Sequence, residues 1–272
     1  MTYCVGLLLD EGLVFASDTR TNAGVDQVAI VPKMHIFEVK NKRVVVLLTA
    51  GNLAITQSVV NALKANTLKK GKSKHINNVL SMFDVAELVG EEMRLAFERD
   101  AKHLKSQNIE FNATILVGGQ IKGEKPRLFN VYAAGNFIET CPETPYFQIG
   151  ESKYGKPVLD RVLTPDTPLN EAAKCALVSM DSTLKSNLSV GLPLDMVVYQ
   201  ADHYRSDQVL CIDDNNAYFH MLRTSWGEKL RQAFDDLADP MWNNEPTEVP
   251  LITPKAKSMA LKKIQTPEDK LI

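Results

Sequence analysis

Apolar positions along the chain recur with two periods. From Tyr3 to Leu9 they are nearly continuous, Asp10-Glu11-Gly12 interrupts them, and Leu13 to Ser17 resumes them, the pattern of a strand, a tight turn and a returning strand. Val28 to Val31, His35 to Val39 and Arg43 to Thr49 are further β-like runs; the last is unbroken, as for a strand buried on both faces. These three are expected to complete a first sheet with the hairpin. Gly51 then opens a helix to about Lys64, and the lysine-rich stretch Leu68 to Asn78 reads as a loop. Asp84 with Glu87 reads as a capping box ahead of Ala86, Val89, Met93, Ala96 and Phe97, whose helical spacing predicts a second helix to about His103.

Phe111 to Val117 and Arg127 to Tyr132, joined by a turn over Gly118 to Lys125, are expected to begin a second sheet, with short strands at Phe137 to Thr140 and Pro145 to Ile149. A third helix is predicted over Gly150 to Val162. Thr167-Pro168 caps a fourth, in which Leu169, Ala172, Ala173, Ala176, Leu177, Met180 and Leu184 keep the 3.6-residue period. Met196 to Tyr199, Val209 to Ile212 and Tyr218 to Met221 read as strands, and Ser225 with Glu228 caps a last helix bearing Trp226, Leu230, Phe234 and Leu237. Strands, two helices, strands, two helices, strands pack best as an α+β, four-layer αββα sandwich, two antiparallel sheets between helix layers. From Asp239 on, five prolines and several lysines with few apolar residues describe an extended tail, so the expected domains are 1–238 and a tail at 239–272.

Composition narrows the functional classes. A length of 272 residues suits one large domain with a tail, and a net charge of −2 carries no basic excess for nucleic acid or an anionic membrane surface. No apolar run approaches the ~20 residues that cross a bilayer. Cys4, Cys141, Cys175 and Cys211 are scattered without a CxxC pair, and the start has neither a charged leader nor an apolar signal core, so the expected compartment is the cytoplasm. His35, His75, His103, His203 and His220 show no metal-binding spacing, and no glycine loop could cradle a phosphate; neither metal nor cofactor is expected.

The chemistry is concentrated at the start. A small residue after the initiator methionine favours its removal, which would give Thr2 a free α-amine. A threonine hydroxyl is a poor nucleophile, but an amine on the same residue, with a reference pKa of about 7.7–8.0, can take its proton near neutrality. The hairpin brings Asp18 back level with Thr2, and Lys33, after Val31-Pro32, is the candidate cation for that carboxylate. An ammonium there keeps the amine neutral, because a like charge disfavours its protonation. The helix start at Gly51 suits a developing oxyanion.

With Ala16-Ser17-Asp18-Thr19-Arg20 and the Thr49-Ala50-Gly51-Asn52 turn, these residues resemble the proteasome-type threonine peptidases, a branch of the N-terminal nucleophile hydrolases, over roughly residues 2 to 237. The resemblance implies Thr2 as nucleophile, Asp18 and Lys33 as activating pair and the Gly51 N–H as oxyanion donor. It also implies supporting roles for Arg20, Ser152, Asn187 and Ser189, and a substrate pocket at Thr21, Val31, His35, Thr49 and Leu53. The family's Ser-Gly turn reads Gly150-Glu151-Ser152 here, and its Asp-x-x-Ser-Gly reads Asn187-Leu188-Ser189-Val190-Gly191, with asparagine in place of aspartate. The implied substrate is a peptide or unfolded protein, and the implied assembly a homo-oligomeric ring or helical stack; an ATPase partner is not specified. A catalytically weak or inactive ring-forming scaffold, or an amidase on small amides, are the alternatives.

Overall fold

The computed structural model describes residues 2–22, 28–68 and 74–240. The chain divides into two compact units, Met1–Leu230 and Arg231–Ile272; the second is described only over 231–240, the last turn of α5 and the residues after it. The expected tail beyond 240 lies outside the described residues.

In chain order the elements are β1 (Tyr3–Leu9), β2 (Gly12–Asp18), β3 (Arg20–Asn22), β4 (Val28–Ile30), β5 (Met34–Val39), β6 (Arg43–Gly51), α1 (Leu53–Leu68) and α2 (Met82–Ser106). They continue as β7 (Ala113–Ile121), β8 (Arg127–Val131), β9 (Phe137–Glu139), β10 (Tyr146–Gly150), α3 (Lys156–Val162), α4 (Leu169–Ser186), β11 (Leu194–Gln200), β12 (Gln208–Ile212) and α5 (Ala217–Asp235). One five-stranded sheet has the order β10-β1-β2-β11-β12, the other β5-β6-β7-β8-β9, and β3 and β4 form a small ribbon. Every pairing is antiparallel.

The period-2 alternation of strand side chains sorts the apolar residues into three layers of core. Val5, Leu7, Val14, Ala16 and Met196 leave the outer face of the first sheet and pack on α3, α4 and α5. Val45, Leu47, Ile115 and Val117 do the same from the second sheet against α1 and α2. Between the sheets lie Leu13, Phe15 and Val197 from one side and Val44, Val46, Leu48, Leu116 and Leu128 from the other. The result is the four-layer αββα sandwich expected from the pattern, and β6, apolar at successive positions, is indeed buried on both faces.

Several local expectations are corrected. β5 and β6 do not complete the first sheet; they start the second, because the free sides of the β1–β2 hairpin are taken by β10 and β11 from far along the chain. β7 continues to Ile121 through Gly118, where a turn was expected: a Cβ at Gly118 would lie 2.5 Å from Phe15 Cζ, so the glycine lets an aromatic ring span the two sheets. The N-cap of α2 is Ser81, whose capping box closes on Asp84 rather than on an Asp84–Glu87 pair. α3 starts at Lys156 rather than Gly150. Tyr218 to Met221 is helical, not a strand: Asn216 Oδ1 accepts the Phe219 N–H and starts α5, in whose interior Ser225 lies. β3 was not foreseen, being only three residues with half-buried polar side chains.

Phe15 is fully buried in the layer between the sheets. Phe15→Ala is expected to destabilise the domain by about 3–5 kcal/mol through lost burial and a cavity, measured as a lowered denaturant midpoint with an unchanged slope; a loss near zero would mean that the sheets do not pack through this ring.

Candidate active site

β1 begins immediately after Thr2, and its register with two neighbours sets what surrounds that residue: Tyr3 lies opposite Gly150 of β10, and Cys4 opposite Ser17 of β2. Asp18, one step further along β2, therefore reaches the start of the chain. Its Oδ1 accepts the Tyr3 N–H at 2.9 Å. On the other side the Thr2 carbonyl accepts the Glu151 N–H at 2.6 Å. Gly150 makes this approach possible: its φ is +79°, and a Cβ there would stand 2.0 Å from the Thr2 oxygen, a clash with backbone that cannot move aside.

Lys33 lies in the segment that crosses from β4 to β5, and so from the small ribbon to the second sheet. Its Nζ donates to Asp18 Oδ1 at 2.7 Å and to the Arg20 carbonyl at 2.5 Å, and its own carbonyl accepts the Thr49 N–H of β6 at 3.0 Å. The ion pair is withdrawn from water, with side-chain exposures of 4% for Lys33 and 0% for Asp18. A buried charge needs both an opposite charge and hydrogen bonds to persist, and Asp18 has them at Oδ1. Burial pushes the Asp18 carboxyl above its ordinary range, while the Lys33 ammonium and the N–H groups of Tyr3 and Gly191 pull against that rise.

Gly51 ends β6 rather than opening a helix; it pairs with Ala113, and α1 starts two residues later. Its φ is +102° and a Cβ would lie 2.4 Å from the Asn112 carbonyl, so glycine is required by both conformation and contact. It sits at the end of the sandwich where Thr49 grips the Lys33 main chain.

The other expected positions divide. Arg20 packs over Gly191, where a Cβ would fall 2.2 Å from its Cζ, and donates to the Leu188 carbonyl at 3.2 Å. Asn187 is the C-cap of α4; its Nδ2 donates to Glu151 Oε2 at 3.0 Å and its Oδ1 accepts the Ser189 N–H at 2.9 Å. Ser152 and Ser189 enter this network through their main chains, Ser189 also accepting from Asn22 Nδ2 at 3.3 Å and Ser152 accepting the Lys156 N–H at 3.3 Å. Among the proposed pocket residues, His35 and Thr49 share the α1-facing side of β5 and β6 with Phe37 and Leu47, Leu53 opens α1, Thr21 lies in β3, and Val31 donates its N–H to the Thr19 carbonyl at 2.8 Å.

Two contributors escaped sequence reasoning. In the sequence Glu151 reads as part of an altered turn, yet its main chain holds Thr2 and its side chain holds Asn187. Tyr3 reads in the sequence as a strand residue only; its buried hydroxyl lies 2.6 Å from Ser179 Oγ and accepts from Gln148 Nε2 at 2.7 Å, tying the residue after Thr2 to α4. A glycine at the end of a strand, followed by a charged residue, was the one available signal for the first. Among the described residues no group of three or more His, Cys, Asp or Glu gathers as a metal site, and no helix is long and apolar enough to cross a membrane.

His35 is held neutral. Burial, and secondarily Lys64, lower its pKa from 6.5 to about 4. The unfolded chain therefore binds a proton between these values that the folded chain does not, so the contribution of this residue to stability falls as pH drops through that window and levels off below it. An imidazole NMR titration with a midpoint near 4 is expected; a midpoint at the ordinary value would place the ring in water.

Comparison with known proteins agrees with this geometry. Residues 2–198 match the family described as proteasome subunit. The chain is 27% identical over 206 residues to proteasome subunit beta 2 of Pyrobaculum calidifontis, covering 75% of this chain and 92% of that protein. Among solved structures, Anbu (ancestral beta-subunit) from Yersinia bercovieri is 50% identical with a TM-score of 0.84, covering 89% of this chain and all of that one. The Anbu of Pseudomonas aeruginosa, solved as a helical assembly, is 46% identical with the same TM-score, over 89% of this chain and 99% of that one. The matched span contains the Thr2 strand, the Asp18–Lys33 pair and the Gly51 turn, and the chain belongs to the proteasome subunit family, within its Anbu, or ancestral β-subunit, branch.

Proposed function

We propose that the protein is a threonine peptidase that cleaves peptide bonds through Thr2 once Met1 has been removed. The observation that carries this reading is the buried Lys33–Asp18 pair at 2.7 Å, with Asp18 also gripping the first strand through the Tyr3 N–H. A lysine driven into the interior beside the residue that would bear the α-amine disfavours a second positive charge there, which keeps the amine free to act as a base. The Thr2 Oγ1 attacks the substrate carbonyl as its proton passes to the α-amine, and the Gly51 N–H stabilises the oxyanion. The amine then gives that proton to the departing amino group. Water, deprotonated by the same amine, hydrolyses the resulting ester and restores Thr2.

Thr21, Val31, His35, Thr49 and Leu53 would receive the side chain before the cut; with His35 neutral the set carries no charge, which favours apolar or small residues. The helical assembly of the Pseudomonas aeruginosa relative supports a homo-oligomeric ring or helical stack here too, enclosing the site. Four free cysteines, two of them buried, suit a reducing cytoplasm.

An electrophilic probe that reacts with N-terminal threonine should add once per chain, at Thr2 by mass spectrometry, and block peptide hydrolysis; no adduct on a protein lacking Met1 would overturn the reading. Lys33→Ala should lower turnover at least about a hundredfold and cost about 3–5 kcal/mol of stability by stranding the Asp18 charge. Wild-type turnover in a folded Lys33→Ala protein would remove Lys33 from the mechanism. A Leu inserted between Met1 and Thr2 should give a folded, inactive protein, and a cleavable tag ending directly before Thr2 should restore hydrolysis when cut. Equal rates before and after that cut would rule out the free amine as base.

A further inference from the structure

The geometry points to Glu151 as a positioning residue that, with Asn187, locks the main chain of the nucleophile to the loop facing Asp18. This rests on the peptidase reading of Thr2. Thr2 is held by two main-chain contacts: its following N–H, that of Tyr3, goes to Asp18, and its carbonyl takes the Glu151 N–H. The first contact is anchored by Lys33. The second would be a loose turn after β10 were it not for the Glu151 side chain, which is 8% exposed.

Both of its oxygens are engaged. Oε1 accepts the Lys153 N–H at 3.0 Å, closing the turn on itself, and Oε2 accepts Asn187 Nδ2 at 3.0 Å. A carboxylate can only accept, so the Asn187 group facing it must be the NH2, and the Asn187 oxygen is left for the Ser189 N–H, as observed. The amide of Asn187 is thus oriented from both ends. Its main chain is fixed as well, donating to the Thr183 carbonyl at 2.9 Å and accepting the Val190 N–H at 3.1 Å. The loop shaped in this way is pinned by Arg20 at Leu188 and Asn22 at Ser189, and it brings the Gly191 N–H toward Asp18. The contacts run from Asp18 through Tyr3 and Thr2 to Glu151 and Asn187, whose loop returns the Gly191 N–H toward Asp18.

The pattern this chain resembles has an aspartate where Asn187 stands, and here the acceptor of the link is the Glu151 carboxylate. Asparagine at 187 is therefore the matched partner of Glu151 and not the loss of a working group.

The test is a double-mutant cycle in the full-length protein with Met1 removed. Glu151→Gln leaves one acceptor oxygen where two are needed, and Asn187→Asp sets two carboxylates against each other; each should lower kcat by roughly ten- to a hundredfold with KM changed less than about threefold, because the nucleophile is displaced and not the pocket. The double variant exchanges the two groups, so that the amide now carried by position 151 can donate to the carboxylate now carried by position 187, and it should recover most of the lost kcat. It also keeps the test decisive if a single variant fails to fold. Independently of turnover, hydrogen exchange at the main-chain N–H of position 151 and across 188–191 should speed up in Glu151→Gln and return toward wild type in the double variant. Multiplicative losses without recovery, or wild-type exchange in Glu151→Gln, would overturn the proposal. A wild-type protein that hydrolyses nothing would instead overturn the peptidase reading, while the exchange measurement still decides whether the link exists.

Discussion

A fully buried aspartate is the constraint on which the rest of the site depends. Asp18 carries its charge at 0% exposure, which is tolerable only because Lys33 and the Tyr3 N–H converge on one of its oxygens. Each of these contacts fixes something larger. The Tyr3 bond sets where the first strand begins relative to the second. The Lys33 bond obliges the segment between the small ribbon and β5 to pass directly beside the end of the first sheet, and the Thr49 N–H on the Lys33 carbonyl then joins that segment to the end of β6 in the second sheet. One ion pair thereby holds the two sheets together at the end where the chain begins.

Two close backbone approaches complete that end. At Gly150 the chain turns through a positive φ so that the next N–H can reach the Thr2 carbonyl, and at Gly51 it does so against the Asn112 carbonyl. In each case a side chain would have to occupy space already held by backbone, and backbone inside a sheet does not yield as a long side chain can. The parts of the site that hold Thr2 are strand ends and tight turns seated on large, close-packed apolar layers.

Membership of the proteasome subunit family accounts for the sandwich, while the bonds around Thr2 are set by this chain's own residues. Ser152 and Ser189 contribute backbone bonds, and the side-chain work passes to Glu151 and Asn187. Because hydrogen bonds are defined by donor and acceptor, the Glu151 carboxylate and the Asn187 amide suffice to link the turn after β10 to the end of α4.

The sequence by itself determined the layer order, the hairpin behind Thr2 and the identity of the charged pair, because these rest on local signals: period-2 and period-3.6 alternation, a turn at Asp10-Glu11-Gly12, and charges standing out in an apolar setting. It misassigned Gly118, Gly150 and Gly51, where a glycine that reads locally as a turn or helix start serves a contact with Phe15, Thr2 or Asn112, each far away in sequence. It also placed β5 and β6 in the wrong sheet, since strand partners depend on which edges remain free once the whole chain has packed. Tyr218 to Met221 looked like a strand because so short a stretch carries too few turns to separate the two periods; only burial of Phe219 and Leu222 on one face resolves them. Glu151 was invisible as a site residue for the same physical reason. Its role is defined by Thr2 and Asn187, one at the start of the chain and one at the end of a distant helix, and only the folded sheet brings them within hydrogen-bond reach.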